Sequence, residues 1–346
     1  MPYNGIGGGH VVIYEWANRL SLKGFDVIIY IPFFIPVLQY NVKSLGYISK
    51  GIIRSILRKS KVKWFPLHAP IKIIPYISNK YIRDADIVIL ESLNTIKPVL
   101  HLSPTKGKKV LFLHSKWLEE TVQKVKYLLE NDSFIKFSVS YHLYSYLKSF
   151  IPNLKIHAII PNGVDIEVFK PKRIDRIFDI LIYYQPDFRK GGDLAIKVAR
   201  ELIEKYPHIT VNFLSTKRYP INNINIRHYW FGLNRDDVAH VYNMHKIFVY
   251  PSRYEAFGLP PLEAMACGLA VVATDTGAVR EYGKNLHSCL ISQPEPEKIT
   301  KCVELLLKND TLANNLRENA RKEASLWNWE YIISNNLVPH LVDVAT

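Results

Sequence analysis

The sequence predicts an α/β protein built from two doubly wound, parallel-sheet domains. Three observations carry that prediction: a length of 346 residues, short apolar runs alternating with amphipathic stretches, and a restart of the alternation after a polar, proline-bearing stretch near residue 170. A single core seldom grows past roughly 250 to 300 residues, so the length makes room for two. Strands covered by helices on both faces read as continuous apolar runs and belong to parallel sheets.

The elements follow in order. Gly9 to Gly24, "GHVVIYEWANRLSLKG", has helical spacing and ends on Gly, and "FDVIIYIP" after it is a short buried strand. The strand signal returns in "ADIVILE" (85–91), "KKVLFLH" (108–114), "FIKFSVS" (134–140) and "KIHAIIP" (155–161). "PNGVDIEVFKPKR" (161–173) interrupts the series. It resumes with "FDILIYY" (178–184), a helix over about 192–205, "HITVNFLS" (208–215), "KIFVYPS" (246–252), a helix from Pro261, and "LAVVATD" (269–275). Residues 1–165 are therefore expected to form an N-terminal Rossmann-like domain and residues 166–325 a second one, with 326–346 as a closing segment.

Composition narrows the class. The chain is 48% hydrophobic and 22% charged, which is globular, and its longest apolar run, Val27 to Leu38, is too short for a bilayer and holds Pro32 and Pro36. No transmembrane span or secretory leader is expected, and Cys267, Cys289 and Cys302 are odd in number with no metal-ligand spacing. The expectation is a reduced, cytoplasmic protein without a metal site. Of the net charge of +14, residues 1–160 carry +13 and residues 161–346 only +1. The densest basic piece, Tyr47 to Phe65, sets Ile48, Ile52, Ile53, Ile56 and Leu57 at helical spacing, with Lys50, Arg54, Arg58, Lys59, Lys61 and Lys63 beside them. Such a helix binds an anionic membrane surface or is an ordinary core helix with a solvated face; both readings stand.

Ligands of doubly wound folds bind beyond the C-terminal strand ends, and with two facing domains the cleft between them is the expected site. "YEAFGLPPLEAMACG" (254–268) lies in such a place, directly after a strand. Pro260 and Pro261 suit the first positions of a helix, where a missing N–H is harmless. Glu263 is then expected in the first helical turn, favoured by the helix dipole and able to accept hydrogen bonds from a vicinal diol such as a ribose. Glu255 sits in the loop beside the backbone N–H groups of Phe257, Gly258 and Leu259, which suit an anion or a sugar hydroxyl. Either Glu alone reads as a solvated or helix-end group; the assembly reads as a site.

"PSRYEAFGLPPLEAMACGLAVVATDTGAVREY" (251–282) resembles the signature phrase of the retaining GT-B glycosyltransferases of family 4, the glycosyl transferases group 1, in which two Glu residues are separated by seven others. "PNGVD" with "F-K-P" (161–171) is similar to that family's interdomain strand and linker, "RKGGDLAI" (189–196) to its donor-phosphate loop, and "GGGHVVIYEWANRLSLKGFDV" to its N-terminal glycine loop and first helix. "WNWEYI" (327–332) looks like the closing helix that crosses back to the first domain. The resemblance covers nearly the whole chain. It implies a GT-B fold, with two Rossmann-like domains facing a cleft. It also implies transfer of a sugar from a nucleoside-diphosphate sugar to a glycan, lipid-linked or protein acceptor, with retention and no metal or other cofactor. By match, Glu263 holds the donor ribose, Glu255 contacts the donor sugar, Lys190 neutralises the diphosphate with Arg189 beside it, and Gly7, Gly8 and Gly9 approach the phosphates. His114, at the end of "VLFLH", matches an active-site histidine that lies against the transferring sugar.

Two positions depart from the pattern. The family's Arg five residues before the matching Lys is Gln185 here, and Arg189 is expected to supply the missing charge, an Arg being suited to a forked phosphate contact. The buried strand that leads into the glycine loop has no counterpart, and a missing N-terminal segment is expected. "DAD" (84–86) opens a strand, so Asp86 is expected to be positional rather than a metal ligand. His10 is expected to pack, His68, His101 and His142 to be structural or solvated, Tyr141, Tyr144 and Tyr146 to form a core face, and Cys267 and Cys289 to act as small apolar residues. "GIGGGH" fails the G-x-G-x-x-G pattern because His10 takes the third glycine position. A nucleic-acid binder would explain the basic half by phosphate attraction but not the two-Glu phrase, so nucleic acid is not expected among the partners. A degenerate member that binds sugar nucleotide without transfer, or a basic-surface binding protein, is the alternative. The donor base, the sugar, the acceptor and the oligomeric state are not encoded legibly.

Overall fold

The computed structural model describes residues 8–32, 65–221 and 224–346. In chain order the elements begin with α1 (Gly8–Leu22), β1 (Ile29–Pro32), β2 (Ile71–Ile74), β3 (Ile87–Leu90), α2 (Leu93–Leu100), β4 (Lys108–Leu113), α3 (Glu119–Leu129), β5 (Ile135–Ser138), α4 (Tyr141–Phe150) and β6 (Ala158–Ile159). They continue with β7 (Phe178–Tyr183), α5 (Gly192–Lys205), β8 (Val211–Ser215), β9 (Tyr229–Phe231), α6 (Arg235–Asn243), β10 (His245–Tyr250), α7 (Leu259–Ala266), β11 (Ala270–Thr274), α8 (Val279–Tyr282) and β12 (Leu290–Ser292). Four helices close the chain: α9 (Pro296–Lys308), α10 (Asp310–Leu326), α11 (Trp329–Ile332) and, after a π turn at Ile333–Leu337, α12 (Val338–Ala345). The basic stretch 47–65 lies outside the described residues apart from its last, Phe65.

The chain divides into two compact units. Unit 1 takes Met1–Val139, Leu143–Pro161 and Ile332–Thr346; unit 2 takes Ser140–His142 and Asn162–Tyr331. Unit 1 holds a two-stranded sheet, β1-β2, and a four-stranded sheet, β3-β4-β5-β6, both parallel throughout. The middle strand β4 buries Val110, Leu111, Phe112 and Leu113, the continuous apolar run that a strand covered on both faces requires.

Unit 2 is a six-stranded parallel sheet in the order β12-β11-β10-β7-β8-β9. Successive strands step outward from β7 in one direction and from β10 in the other. The boundary between β7 and β10 is thus a topological switch point, the place beyond the C-terminal strand ends where ligands of doubly wound folds bind. Helix α5 packs Leu194, Ala195, Val198, Ala199 and Leu202 onto Ile180, Ile182, Phe213 and Val249 of the sheet, and α9 adds Ile299, Val303 and Leu306. That stripe at i, i+1, i+4, i+5, i+8 is the buried face of an amphipathic helix. Within the same unit Val164 N–H donates to Trp327 O at 2.8 Å and Trp329 N–H to Val164 O at 3.2 Å. The "PNGVD" and "WNWEYI" stretches are therefore bonded neighbours.

Three strands go beyond the sequence reading: β2, β9 and β12, of three or four residues each. Segments so short carry too few periods for a strand pattern to register. Helix α7 starts at Leu259, two residues before the expected Pro261, because Gly258 turns the chain with φ 93° and both prolines fit inside a first turn whose N–H groups need no intrahelical partner. The tyrosines of α4 also differ from expectation. Leu143 and Leu147 are its buried residues, while Tyr141 is exposed and Tyr144 and Tyr146 are half-buried under Lys148 and Lys116. The short leucines fill the core and leave the phenols, which need a polar partner, at the rim.

Candidate functional site

At the switch point of unit 2 the loop after β7 meets the loop after β10. Gly191 permits this. Its φ of +68° is left-handed, and a Cβ there would lie 1.8 Å from the carbonyl oxygen of Pro251, so only glycine lets the two loops touch. The carbonyl of Arg189 then accepts from Arg253 N–H at 2.8 Å, Tyr254 N–H at 3.0 Å and Ser252 Oγ at 3.0 Å, pinning one loop to the other.

This joint delivers Lys190 to Glu255. Glu255 Oε1 accepts three hydrogen bonds, from Lys190 Nζ at 2.7 Å, Tyr250 Oη at 2.6 Å and Ser252 Oγ at 2.9 Å. Its other oxygen, Oε2, accepts none from the described residues. A carboxylate saturated on one oxygen is fixed in orientation and presents the second to whatever enters. Phe257 is buried, Gly258 caps α7, and Leu259 is its first residue. Tyr250 and Ser252 are site residues that sequence reading passed over. Their signal was available: Tyr250 ends β10 and Ser252 follows two residues later, the strand-end position where doubly wound folds place their ligand-binding residues.

Glu263 lies not in the first turn of α7, as expected, but one turn further in, as its fifth residue. The first-turn dipole advantage is correspondingly reduced. Burial pushes its carboxyl up to about 7, although Arg235 pulls the other way. The Tyr183 phenol is raised first by burial and then by the charges of both Glu255 and Glu263, which places it in the field of the two carboxylates. Tyr183 packs against Tyr250 with ring centroids 5.2 Å apart. The eight-residue spacing thus brings two carboxylates around one tyrosine pair.

Gln185 donates through Nε2 to Tyr183 Oη at 2.7 Å and to Thr216 Oγ1 at 3.1 Å. Arg189, expected to replace the missing charge, forks onto Asp187 with bonds of 2.6 and 3.1 Å. Arg253 is held between Asp193 and the ring of Phe188, 4.1 Å from its centroid. Lys190, by contrast, contacts Glu255 directly.

Unit 1 carries its own constellation. His114, the residue after β4, donates through Nε2 to Glu91 Oε2 at 3.2 Å and stacks on Phe112 at 5.3 Å. Gly9, in the first turn of α1, comes so close that a Cβ would stand 2.7 Å from His114 Cε1. The imidazole is clamped on three sides. Burial pushes the Glu91 carboxyl up, but its hydrogen bond and charge interaction with His114 prevail and hold it below the usual carboxylate range. Burial, then the charge of Glu91, pushes Tyr14 up to about 12. Gly8 opens α1, and Gly7 lies outside the described residues. Glu91 ended an apolar run in the sequence, and only the fold gives it a role. Asp84 pairs with Lys106 at 2.7 Å, and the Asp86 carbonyl accepts from Lys108 N–H. Among the described residues no group of three or more His, Cys, Asp or Glu side chains is set to hold a metal, and no helix is long and apolar enough to cross a membrane.

Parallel sheets in both units, with a polar cluster at the switch point of the second, are the architecture of a GT-B protein. The comparison with solved structures agrees. HepE from Anabaena, in complex with UDP and glucose, superposes with a TM-score of 0.70 over 99% of this chain and 98% of that one, at 12% identity. Residues 167–323 match the family Glycosyl transferases group 1. Among curated relatives, a serotype-specific mannosyltransferase WbdA of Escherichia coli is 31% identical over 97 residues, which is 28% of this chain and 12% of that protein. A phosphatidylinositol N-acetylglucosaminyltransferase component of Arabidopsis thaliana is 23% identical over 314 residues, 86% of this chain and 67% of the relative. The chain thus spans about an eighth of the E. coli enzyme it matches.

Proposed function

We propose that the protein is a glycosyltransferase that moves a sugar from a nucleoside-diphosphate sugar to a glycan, lipid-linked or protein acceptor, keeping the anomeric configuration and using no metal. One observation supports this reading above the others: Glu255 is fixed through one oxygen by Lys190, Tyr250 and Ser252 and keeps the second available, eight residues before Glu263. In the proposed complex Glu263 accepts from the ribose diol and Glu255 Oε2 from a sugar hydroxyl. Lys190 shifts its hydrogen bonds toward the diphosphate and stabilises the charge that develops on it as the glycosidic bond breaks, a role for a preorganised cation. The departing phosphate takes the acceptor proton, so neither Glu serves as nucleophile. For unit 1 we propose that His114, oriented by Glu91, serves the transfer step.

The names of the relatives, which include a mannosyltransferase and a component of a phosphatidylinositol N-acetylglucosaminyltransferase, favour a hexose donor and are in keeping with a lipid-linked acceptor. A place in the cytoplasm, on an anionic membrane surface reached through residues 47–65, fits the basic charge of the N-terminal half. The test is mass spectrometry of nucleotide-sugar consumption with lipid and glycan acceptors in the presence of EDTA. Release of the nucleoside diphosphate with a glycosylated product, lost in Lys190→Ala, is expected. Gln185, standing where the family has an Arg, favours a second reading, a sugar-nucleotide binder without turnover; saturable binding with no product in any acceptor mixture would select it.

A further inference from the structure

Tyr183 ends β7 and Tyr250 ends β10, the two strands that flank the switch point of unit 2. Their hydroxyls are bonded in opposite senses. Tyr250 Oη donates to Glu255 Oε1 at 2.6 Å, so its hydrogen has an acceptor. Tyr183 Oη accepts instead, from Gln185 Nε2 at 2.7 Å, and the same amide nitrogen donates to Thr216 Oγ1 at 3.1 Å. An amide nitrogen donates and does not accept, so the Tyr183 oxygen must direct its own hydrogen elsewhere. Among the described residues no group accepts that hydrogen. The side chain is buried, at 9% exposure, and folded proteins seldom leave a buried O–H without an acceptor unless a ligand or water completes it.

Charge sets the direction in which that hydrogen points. Burial raises the pKa of the phenol, and the charges of Glu255 and Glu263 raise it further, so it stays protonated in a negative field. Such a field draws the hydrogen toward the carboxylates and favours the nitrogen of the Gln185 amide, rather than its oxygen, against the phenol. The complementary group is Glu255 Oε2, which accepts nothing from the described residues. A donor and an acceptor therefore stand near one another, each lacking a partner among the described residues. A phosphate oxygen would satisfy the phenol and repel the carboxylate. An ammonium would satisfy the carboxylate and offer the phenol no acceptor. A hydroxyl does both, accepting from the one and donating to the other. We propose that Tyr183 is a sugar-contact residue whose O–H donates to the same ligand hydroxyl that donates to Glu255 Oε2, and that Gln185 is the positioning residue that keeps the phenol hydrogen turned toward the ligand. This rests on the nucleoside-diphosphate-sugar reading of the site and adds to it the pair of groups that favours the sugar conjugate over the bare diphosphate.

The test is calorimetry on wild type, Tyr183→Phe, Gln185→Glu and the double variant, with UDP, GDP and ADP and with their glucose, mannose and N-acetylglucosamine conjugates. The quantity read is the preference, the Kd of the bare diphosphate divided by that of its conjugate. Tyr183→Phe should lower the preference about 3- to 10-fold, the range of one hydrogen bond, and leave the Kd of the bare diphosphate as it is, which also shows the variant to be folded. Gln185→Glu sets an acceptor against the phenol, turns the hydrogen away from the ligand and should lower the preference by a similar factor. In the Tyr183→Phe background it should lower the preference no further. An unchanged preference in Tyr183→Phe, or a bare diphosphate weakened as much as its conjugate, overturns the assignment of Tyr183 and leaves the donor-site reading standing. An unchanged preference in Gln185→Glu beside a lowered one in Tyr183→Phe overturns the role of Gln185. A wild type that binds none of these nucleotides overturns the donor-site reading, and this assignment with it.

Discussion

At the scale of single residues, the chemistry rests on how Glu263 and Glu255 are held. Glu263 keeps its proton to about pH 7 in the folded chain, whereas an exposed Glu loses it near 4.5. The folded state therefore binds the extra proton between these values. The stability this confers is complete below about 4.5 and is lost as pH rises through about 7, up to about 3 kcal/mol in all. Urea denaturation at pH 5 and pH 8 should show this slope in wild type and a flatter one in Glu263→Gln. Nucleotide binding through the ionised carboxylate should run the opposite way, tightening from pH 6 to pH 8 in wild type and not in Glu263→Gln. Lys190→Ala removes the cation from a charge-assisted contact of about 1.5–3 kcal/mol, so calorimetry should find the nucleoside diphosphate bound about 10- to 100-fold more weakly and the free nucleoside unchanged. Glu91 touches His114 rather than the reacting groups. Glu91→Gln should accordingly lower kcat about ten-fold or more and leave the nucleotide Kd as it is, a split that a general loss of folding would not produce.

At the scale of elements, much of the architecture was legible because long runs carry their own periodicity. The α5 expectation over 192–205 coincides with the helix, and "KIFVYPS" and "LAVVATD" coincide with β10 and β11 within a residue or two. Short strands, the two-residue advance of α7 and the outward tilt of the α4 tyrosines were not legible, since each is set by neighbours distant in sequence. So it is with the site. Two Glu residues eight apart could be read from spacing, but that Tyr250 and Ser252 saturate one oxygen of Glu255 follows from the end of β10, and the clamp on His114 depends on three segments converging. The loop joint is the element most exposed to mutation. Gly191→Ala sets a Cβ against Pro251 O at a left-handed φ and should cost about 2 kcal/mol or more, read as a fall in Tm together with a loss of nucleotide binding.

At the scale of the whole molecule, the fold is that of a GT-B protein, and unit 2 gathers Lys190, Glu255 and Glu263 at the switch point between β7 and β10. The central claim is that this cluster belongs to a metal-free site for a nucleoside-diphosphate sugar. The measurement that tests it most directly is a thermal-shift panel of UDP, GDP and ADP and their common sugar conjugates, with and without EDTA, on wild type and Glu263→Ala. One nucleotide class should raise the Tm of wild type, EDTA should leave this rise intact, and the rise should vanish in Glu263→Ala. No shift from any nucleotide, or a shift abolished by EDTA, would contradict the claim.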